Sequence, residues 1–415
     1  MGNSASTIQR NLEGKPVVVV VGGGFAGIKV AMTLDKHVNV ILIDRKDFFF
    51  ISFGALRAAV DPSVAPHLMV PYSKLLQFGH VVQGEVAEIG TKSLKLHGRD
   101  EQIPFDYLVI TTGTSYAFPS KVSPAHAKDV LPLYEESAKE IEKVGVCLLL
   151  VCSFHLHLLL LHLHLHLHLH FIFTFIFTFI TFPSSFIFTF IFPTFSSYLS
   201  FLLPLRSHVY FFLPFQAQDI LIVGGGSVGI ELLGEIAYKY PQGKNITLVH
   251  SHDHLIPGEL SDRFKNEALK RVRATPNVNV ILSDRVVFDD EMQVKGSTRL
   301  VAGRRTVKTE KGVLIEADIV FYCGSAKVNS NAFATTFASQ MDADGRLKVN
   351  PYLQVEGYEN IFAAGDCANV KESKLGYLAG IQGVFVGNNI LLHVNGKDLK
   401  EHTPSPPGMF LTIGP

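Results

Sequence analysis

The stretch VVVVVGGGFAGIKVAMTL, from Val17 to Leu34, decides the fold. Five consecutive valines have the apolar, β-branched character of a strand that is buried on both faces. Gly22, Gly24 and Gly27 follow, and a helical pattern begins among them. The first glycine permits a tight turn, the second lets a ligand approach the backbone, and the third lets helix and strand pack closely. Because the N–H groups at a helix start attract anions, the stretch predicts a Rossmann-like unit that binds a dinucleotide pyrophosphate. Phe25 and Ala26 belong to the same predicted site.

The next apolar run, NVILID, supports this interpretation. It ends at Asp44, which lies 22 residues after Gly22. In dinucleotide-binding units an acidic residue at about this spacing accepts hydrogen bonds from a ribose hydroxyl pair. Glycines in this spacing alone are a weak signal. With the strand before, the helix after and the acid in place, they predict dinucleotide binding rather than a plain glycine-rich turn.

A second copy of the pattern, DILIVGGGSVGIELLGEIA, begins at Asp219. Gly224, Gly226 and Gly229 repeat the spacing, and the following strand ITLVHS brings His250 to the position of the acid. A carboxylate there would hydrogen-bond the 2′-hydroxyl of NAD and repel the 2′-phosphate of NADP. Its absence predicts that NADPH is accepted, alongside NADH. The alternative is that His250 is only the surface end of a strand.

Two complete fingerprints predict two dinucleotides, and the usual pair is a tightly held FAD and an exchangeable NAD(P)H that pass hydride between their rings. Three further segments resemble those of flavoproteins that bind both. FDYLVITTGTSY carries Gly113 and resembles the exit from one nucleotide domain; GVLIEADIVFYCGSAKVNS resembles its counterpart, with Gly324-Ser325 where Thr-Gly is usual. NIFAAGDCANV carries Gly365 and Asp366, and in such enzymes this aspartate accepts a hydrogen bond from the ribityl chain of FAD.

The chain resembles the apoptosis-inducing-factor-like flavoproteins, specifically the ferroptosis-suppressor type (mitochondrion-associated 2). The resemblance covers residues 17–143 and 217 to about 396. It rests on VVVVGGGFAGIKVA, ALRAAV, QGEVAEI, LYEESAKEIEK, ILIVGGGSVGIELLGEI, ITLVHS, LQVEGYENIFAAGDCANV and KLGYLAGIQG.

The resemblance implies an FAD-dependent NAD(P)H oxidoreductase that reduces quinones such as ubiquinone or vitamin K. It matches FAD contacts to the glycines of the first loop, Asp44, Arg57, Val86, Lys121 and Asp366. It matches Glu231 and Lys374 to an acid and a base near the flavin and nicotinamide rings. Glu231 lies two residues past Gly229, and we expect it in the first turn of the helix that faces the nicotinamide dinucleotide. A Glu–Lys pair there would orient the nicotinamide and stabilise charge on the reduced ring.

Flavoproteins of this general type also carry out other chemistries. Disulfide reduction needs a cysteine pair near the flavin, and DRKDFFFISFGALRAAV has none. Cys147 and Cys152 have the spacing but lie between the nucleotide domains, whereas Cys323 and Cys367 are single and fit buried structural residues. A type-II NADH dehydrogenase is an enzymatic alternative. A redox-sensing regulatory protein with little turnover is another, although the zero net charge does not favour nucleic acid as its partner.

Residues 144–216 have a foreign composition: Arg206 is the only charged residue, and the block includes LHLHLHLHLHFIFTFIFTFITF. Joining Lys143 to Ala217 restores EIEKAQDILIVGGG, a normal entry into a nucleotide domain. The block begins with valine, whose codons start with GT, and it ends in FFLPFQ, which can be encoded by a pyrimidine tract followed by CAG. These are the sequences with which introns begin and end. The block is therefore predicted to be an unspliced intron. A histidine ladder that binds metal and a pair of membrane spans are the alternatives; no metal site is expected.

The ends of the chain carry two further expectations. MGNSAST fits the pattern for N-myristoylation at Gly2, and the resembling family is anchored in this way. A cytoplasmic protein that is peripheral at membrane surfaces suits a lipid-soluble quinone, although one acyl chain binds only marginally. Family members continue past the PGMFLTIGP position, so a truncated third domain is expected; association of two copies is left open.

The predicted fold is α/β, with two Rossmann-like dinucleotide-binding domains arranged as in glutathione reductase and an incomplete third domain. The predicted divisions are 1–15 (N-terminal arm), 16–121 (FAD-binding domain, first segment), 122–143 and 217–344 (NAD(P)-binding domain), 144–216 (insertion), 345–396 (FAD-binding domain, second segment) and 397–415 (truncated C-terminal domain).

Overall fold

The computed structural model describes residues 13–143, 218–256, 258, 260–288, 300–324 and 326–414. The predictions for Gly2, for residues 144–216 and for the cysteines within that block lie outside these residues. The described residues up to Glu142 and from Asp219 onward belong to one compact unit. All the contacts below are within it.

Strands and helices alternate along the described residues in the order expected of α/β units. In chain order they are β1 (Val17–Val21), α1 (Phe25–Leu34), β2 (Asn39–Asp44), β3 (Phe48–Phe50), α2 (Ala55–Val60), β4 (Met69–Pro71), β5 (His80–Gln83), β6 (Val86–Ile89), β7 (Ser93–Leu96), β8 (Gln102–Pro104), β9 (Tyr107–Ile110), β10 (Thr114–Ser115), α3 (Leu131–Glu142), β11 (Gln218–Val223), α4 (Ser227–Lys239), β12 (Lys244–Val249), α5 (Asp262–Ala274), β13 (Val278–Ile281), β14 (Val301–Lys308), β15 (Leu314–Tyr322), β16 (Lys327–Val328), β17 (Ile361–Ala363) and α6 (Gly376–Val394).

The first large sheet has the strand order β17-β9-β1-β2-β5, and its paired strands are parallel. The five valines of β1 occupy the centre and are all buried, as an apolar run without alternation requires. Its neighbours come from distant parts of the chain, because β17 pairs with β9 across some 250 residues. The sheet therefore joins two segments that the second sheet separates.

The second large sheet has the order β13-β12-β11-β15-β14. Here β11 is central and runs parallel to β15, whereas the edge strand β14 is antiparallel to β15. Each large sheet thus places a glycine loop at the carboxyl end of its central strand, where open α/β sheets bind ligands. This confirms the predicted α/β class with two Rossmann-like units. The exact domain divisions stay a prediction.

The long helix α6 packs closely against α1. A Cβ atom at Gly383 would lie 2.3 Å from the carbonyl oxygen of Ala26, and one at Gly387 would lie 2.9 Å from the side chain of Thr33. Only glycine permits this approach of the two helix backbones, and it brings the start of α6 beside the first glycine loop. Among the described residues, no helix combines the length and apolar character that crossing a membrane requires.

Candidate functional site

The first glycine loop joins β1 to α1. Gly22 has φ +101°, and a Cβ atom there would lie 2.4 Å from the carbonyl oxygen of Thr111. A Cβ atom at Gly27 would lie 1.8 Å from the carbonyl oxygen of Gly22. At Gly24, by contrast, a Cβ atom would meet nothing within 4 Å. The backbone thus closes around Gly22 and Gly27, the first and third glycines of the motif. The second glycine of the motif, Gly24, faces open space.

The start of α1 is open to an anion. Its N-cap, Gly24, provides no side-chain hydrogen bond, and the first turn has no acidic residue. The N–H groups of the first turn therefore lack both a capping acceptor and a competing negative charge. Phe25 packs by its ring edge on Phe49, at 5.0 Å between centroids, and this contact anchors the first turn. An uncapped helix start beside an open glycine fits a pyrophosphate.

The middle glycine of this loop, Gly23, is held on both sides. Its N–H donates to the Asp44 carboxylate at 2.6 Å, and its carbonyl oxygen accepts the hydroxyl of Tyr72 at 2.8 Å. The Tyr72 hydroxyl would lie 2.2 Å from a Cβ atom at Gly23, so this position also requires glycine. The predicted position of Asp44 at the loop is therefore observed. Sequence reasoning missed Tyr72, because no spacing rule links it to the loop.

The second glycine loop joins β11 to α4 and repeats this geometry. Gly224 has φ +118° and lies against the carbonyl oxygen of Cys323, and a Cβ atom at Gly229 would lie 1.9 Å from the carbonyl oxygen of Gly224. Gly226 faces open space and caps α4 without a side-chain hydrogen bond. The second loop therefore fits a second dinucleotide by the same test as the first.

His250 takes the place of Asp44 in the second loop. Its Nδ1 accepts the N–H of Gly225 at 3.0 Å, and its Nε2 has no hydrogen-bond partner among the described residues. The side chain is 7% exposed, so the alternative of a surface strand end is wrong. Burial, with the neighbouring His252 and His254, lowers the pKa of His250 to about 4. The imidazole is therefore neutral near pH 7 and carries its proton on Nε2.

A third group of predicted residues meets at the end of β9. Asp366 accepts the hydroxyl of Thr114 at 2.6 Å, and the Lys121 ammonium lies 4.0 Å from the same carboxylate. Lys121 also donates to the carbonyl oxygen of Thr114 at 2.6 Å. Burial lowers the pKa of Lys121 although Asp366 opposes the shift. Gly113, with φ +64° and open space at its Cβ position, lies next to this cluster in the chain.

Arg57 and Val86 contact residues outside the two glycine loops. The Arg57 guanidinium forms two hydrogen bonds, at 3.0 and 3.1 Å, with one carboxylate oxygen of Glu235 on α4, and it thereby ties α2 to the second nucleotide unit. Val86 begins β6 and pairs with Leu96. Their contact with FAD stays a prediction.

Glu231 and Lys374, the predicted acid and base, form hydrogen bonds with different residues. Glu231 is the fifth residue of α4, so it lies in the second turn; the prediction of the first turn was wrong because the helix begins at Ser227. Its carboxylate accepts the N–H of Thr412 at 3.5 Å, and burial raises its pKa. Lys374 donates to the carbonyl oxygens of Ala368 and Val370, and burial lowers its pKa. The Glu231–Lys374 pairing stays a prediction.

The described cysteines are unsuited to redox exchange. Cys323 and Cys367 are both buried and form no disulfide, as predicted, and burial raises the pKa of both thiols, that of Cys323 to about 12.

Among the described residues, no group of three or more His, Cys, Asp or Glu side chains is arranged to hold a metal ion.

The family model "Pyridine nucleotide-disulphide oxidoreductase" matches residues 197–383. Apoptosis-inducing factor homolog B of Dictyostelium discoideum is 32% identical over 97% of this chain and 88% of its own length. This chain belongs to the apoptosis-inducing-factor-like flavoproteins. Ferroptosis suppressor protein 1 of Homo sapiens is 28% identical over 96% of this chain and 86% of its own length.

Solved structures show the same fold at lower identity. The reduced CoADR-RHD of Bacillus anthracis superposes with a TM-score of 0.54 at 17% identity, covering 94% of this chain and 58% of that one. The water-forming NADH oxidase of Lactobacillus brevis, solved with NADH, gives 0.52 at 17% identity, covering 91% and 69%. These likenesses concern the fold alone.

Membership of this family makes the chain an FAD-dependent NAD(P)H oxidoreductase, and the predicted cofactors are confirmed. The two open loops fit two dinucleotides. The assignment of FAD to the first loop and of NAD(P)H to the second stays a prediction, as does each residue's contact with them.

Proposed function

We propose that this apoptosis-inducing-factor-like flavoprotein passes electrons from NAD(P)H through FAD to a quinone of the ubiquinone or vitamin K type. One observation carries the proposal: two open dinucleotide loops lie in one unit, and the described residues offer no accessible thiol to receive the electrons. A flavin that meets no partner thiol can hand its electrons directly to a diffusible acceptor. A quinone accepts two electrons and two protons and needs no covalent intermediate with a side chain.

The residues of the chain would bind and orient rather than attack. When bound, FAD accepts a hydride from the nicotinamide and returns two electrons to an acceptor. The α1 and α4 helix starts would hold the pyrophosphates, and Asp44 would accept the ribose hydroxyls of FAD. Asp366 would meet the ribityl chain, with Thr114 and Lys121 fixing its carboxylate. The neutral His250 leaves room for either NADH or NADPH.

Glu231 and Lys374 would complete the site. Glu231 is hydrogen-bonded to Thr412, and Lys374 donates to the carbonyl oxygens of Ala368 and Val370. Burial favours the uncharged form of both, because it raises the pKa of Glu231 and lowers that of Lys374. Reduction of a quinone consumes two protons, and an acid and a base beside the flavin would be placed to supply them.

A lipid-soluble quinone would be met at a membrane surface. The N-terminal MGNSAST supports attachment through a myristoyl group on Gly2, outside the described residues. The proposed setting is therefore the cytoplasmic face of membranes, with the quinone and NAD(P)H as small-molecule partners. Mass spectrometry of the N-terminal peptide from expressing cells would test the acylation, and an unacylated Gly2 would contradict it.

The experiment for the proposed function follows the flavin spectrum of the purified full chain under anaerobic conditions. NADPH should bleach the visible flavin bands, and a short-chain ubiquinone analogue or menadione should restore them within the turnover time. Oxidised glutathione is the matched acceptor for disulfide chemistry and should not. Restoration by glutathione alone, or a flavin that NAD(P)H never bleaches, would contradict quinone reduction. Bleaching by NADH but not NADPH would instead favour the type-II NADH dehydrogenase alternative.

A further inference from the structure

A buried carboxylate lies between the C-terminal segment and the turn that carries Asp366. The Glu372 side chain is 1% exposed, and that of His402 is 7% exposed. Glu372 precedes α6, and His402 follows it, so the two residues meet only because the chain returns past the helix. A carboxylate this deeply buried is costly unless it is fully hydrogen-bonded.

Three donors satisfy Glu372. Its Oε1 accepts the Nε2 of His402 and the backbone N–H of Ser405, both at 2.8 Å, and its Oε2 accepts the Nε2 of Gln382 at 2.8 Å. Burial alone would raise the pKa of Glu372, but these hydrogen bonds, led by that of Gln382, hold the pKa below its ordinary value. Glu372 is therefore an anion that two side chains and one backbone group surround.

The anion sets the orientation of the Gln382 amide. A carboxylate only accepts hydrogen bonds, so the NH₂ group of Gln382 must face Glu372 and its oxygen must face the other way. That oxygen accepts the N–H of Gly365 at 2.7 Å, and this contact is buried. Gln382 is 3% exposed. A flipped amide would set two donors against each other at Gly365, so Glu372 selects the one orientation that holds the turn.

The turn is the one on which Asp366 stands. Gly365 has φ +76°, a backbone conformation that favours glycine. A Cβ atom there would make ordinary contacts with Ala26 of α1 at 3.4 Å and Ala379 of α6 at 3.6 Å, so the turn lies between the two helices. Gly365, which donates to Gln382, directly precedes Asp366, and the carboxylate of Asp366 accepts the hydroxyl of Thr114 at 2.6 Å.

We propose that Glu372, Gln382 and His402 are positioning residues for FAD: His402 holds Glu372, Glu372 orients Gln382, and Gln382 fixes the Gly365–Asp366 turn against the flavin site. None of the three touches the cofactor in this role. The inference rests on the binding of FAD and not on the identity of the electron acceptor, so the failure of quinone reduction would leave it standing.

The test is the affinity of the full-length apoprotein for FAD, measured by quenching of flavin fluorescence. Gln382→Leu keeps the bulk of the side chain and removes both of its hydrogen bonds. It should raise the dissociation constant of FAD about tenfold, as expected for a lost buried hydrogen bond to a positioned group. Glu372→Gln should raise it similarly, because the NH₂ group of Gln382 loses its charged acceptor. A dissociation constant within twofold of wild type in both variants would overturn the proposal.

His402 offers a matched pair. His402→Gln retains an NH₂ donor that can reach Glu372, and His402→Leu does not. The glutamine variant should keep most of the affinity for FAD and the wild-type visible circular dichroism of the bound flavin, whereas the leucine variant should lose both. Equal losses in the two variants would mean that His402 acts by packing, for example on Phe385, and would overturn its part in the relay.

Tyr107→Phe is the control for a loss of stability without a positioning effect. Tyr107 shares one hydrogen bond of 2.9 Å with His393 in the last turn of α6, at the other end of the helix from Gly365. Urea unfolding of the apoproteins would show how far each variant is destabilised. Tyr107→Phe should lower stability and leave the affinity for FAD unchanged. If FAD binding weakens in proportion to lost stability in all variants, the effect is structural and the proposal fails.

Discussion

The two glycine loops have the same backbone and different side chains behind it. In the first loop Asp44 accepts the N–H of Gly23; in the second His250 accepts the N–H of Gly225. The carbonyl oxygen of each middle glycine is also held, by the Tyr72 hydroxyl in the first loop and by the Ile256 N–H in the second. The residue at the end of the second strand therefore has a structural task, which is to fix the loop, in addition to any contact with ribose.

The two loops share their backbone shape but differ in the charge of the side chain that holds them. A carboxylate and a neutral imidazole both accept one N–H, so either can hold the loop. Only the carboxylate carries a negative charge towards the site, and only the imidazole retains a buried donor, Nε2–H, without a partner among the described residues. The shape of the two loops is thus shared, and the difference in charge is free to select the dinucleotide.

The largest expected effect comes from the third glycines. Gly27→Ala and Gly229→Ala each place a Cβ atom within 2 Å of a carbonyl oxygen of the same loop, at 1.8 and 1.9 Å. We expect each to lower the free energy of unfolding by about 3 kcal/mol or more, since strand and helix must separate. Urea denaturation of the purified variants would measure it. Loss of stability in only one of them would break the equivalence of the two loops.

Substitution of the second glycine of the motif in each loop should weaken the binding of one dinucleotide and leave the other bound. Gly24 and Gly226 have ordinary φ values, −74° and −77°, and open space at the Cβ position, so valine should leave both apoproteins folded. Gly24→Val should weaken FAD about a hundredfold, because the side chain fills the space for the pyrophosphate. Gly226→Val should keep FAD bound and raise the KM for NADPH. Flavin content and steady-state kinetics measure the two effects, and exchanged phenotypes would reverse the assignment of the loops.

Changing the charge at His250 tests the selection of the nicotinamide cofactor. His250→Asp restores the arrangement of the first loop and should lower kcat/KM for NADPH about tenfold relative to NADH, through repulsion of the 2′-phosphate. His250→Asn is the matched control, because it presents a neutral acceptor to Gly225. An NADPH-to-NADH ratio that is the same in wild type and in the aspartate variant would show that position 250 does not face the 2′ position.

The last expected effect is a dependence of stability on pH that arises from His250 in the second loop. The pKa of His250 falls from its ordinary 6.5 to about 4 on folding. Between these values the unfolded chain binds more protons than the folded one, so this group lowers stability as pH falls from 6.5 to 4 and not above that window. At about 1.4 kcal/mol for each pKa unit, we expect a loss of at most roughly 3 kcal/mol across this window. Urea unfolding at several pH values should show a shallower dependence in His250→Asn, and an unchanged slope would contradict the assignment.

Local sequence was sufficient for the loops. The run of valines, the spacing of Gly22, Gly24 and Gly27, and the repeat at Gly224 determine two strand–turn–helix units, because each rule acts within about a dozen neighbouring residues. The acid at Asp44 and its replacement at His250 were visible because one helix and one strand separate each of them from its loop, which is a regular spacing in such units. The α/β class and the pair of dinucleotides followed from these features alone.

Tertiary structure decided what lies between distant segments. Tyr72 reaches Gly23 across 49 residues, Arg57 meets Glu235 across 178, and His402 joins Glu372 only after the chain has passed through α6. No periodicity or spacing encodes such contacts, since they depend on how helices and sheets pack rather than on the order of residues. Glu231 shows the limit most simply: the sequence placed it near the second loop, and the start of α4 at Ser227 decided which turn it occupies.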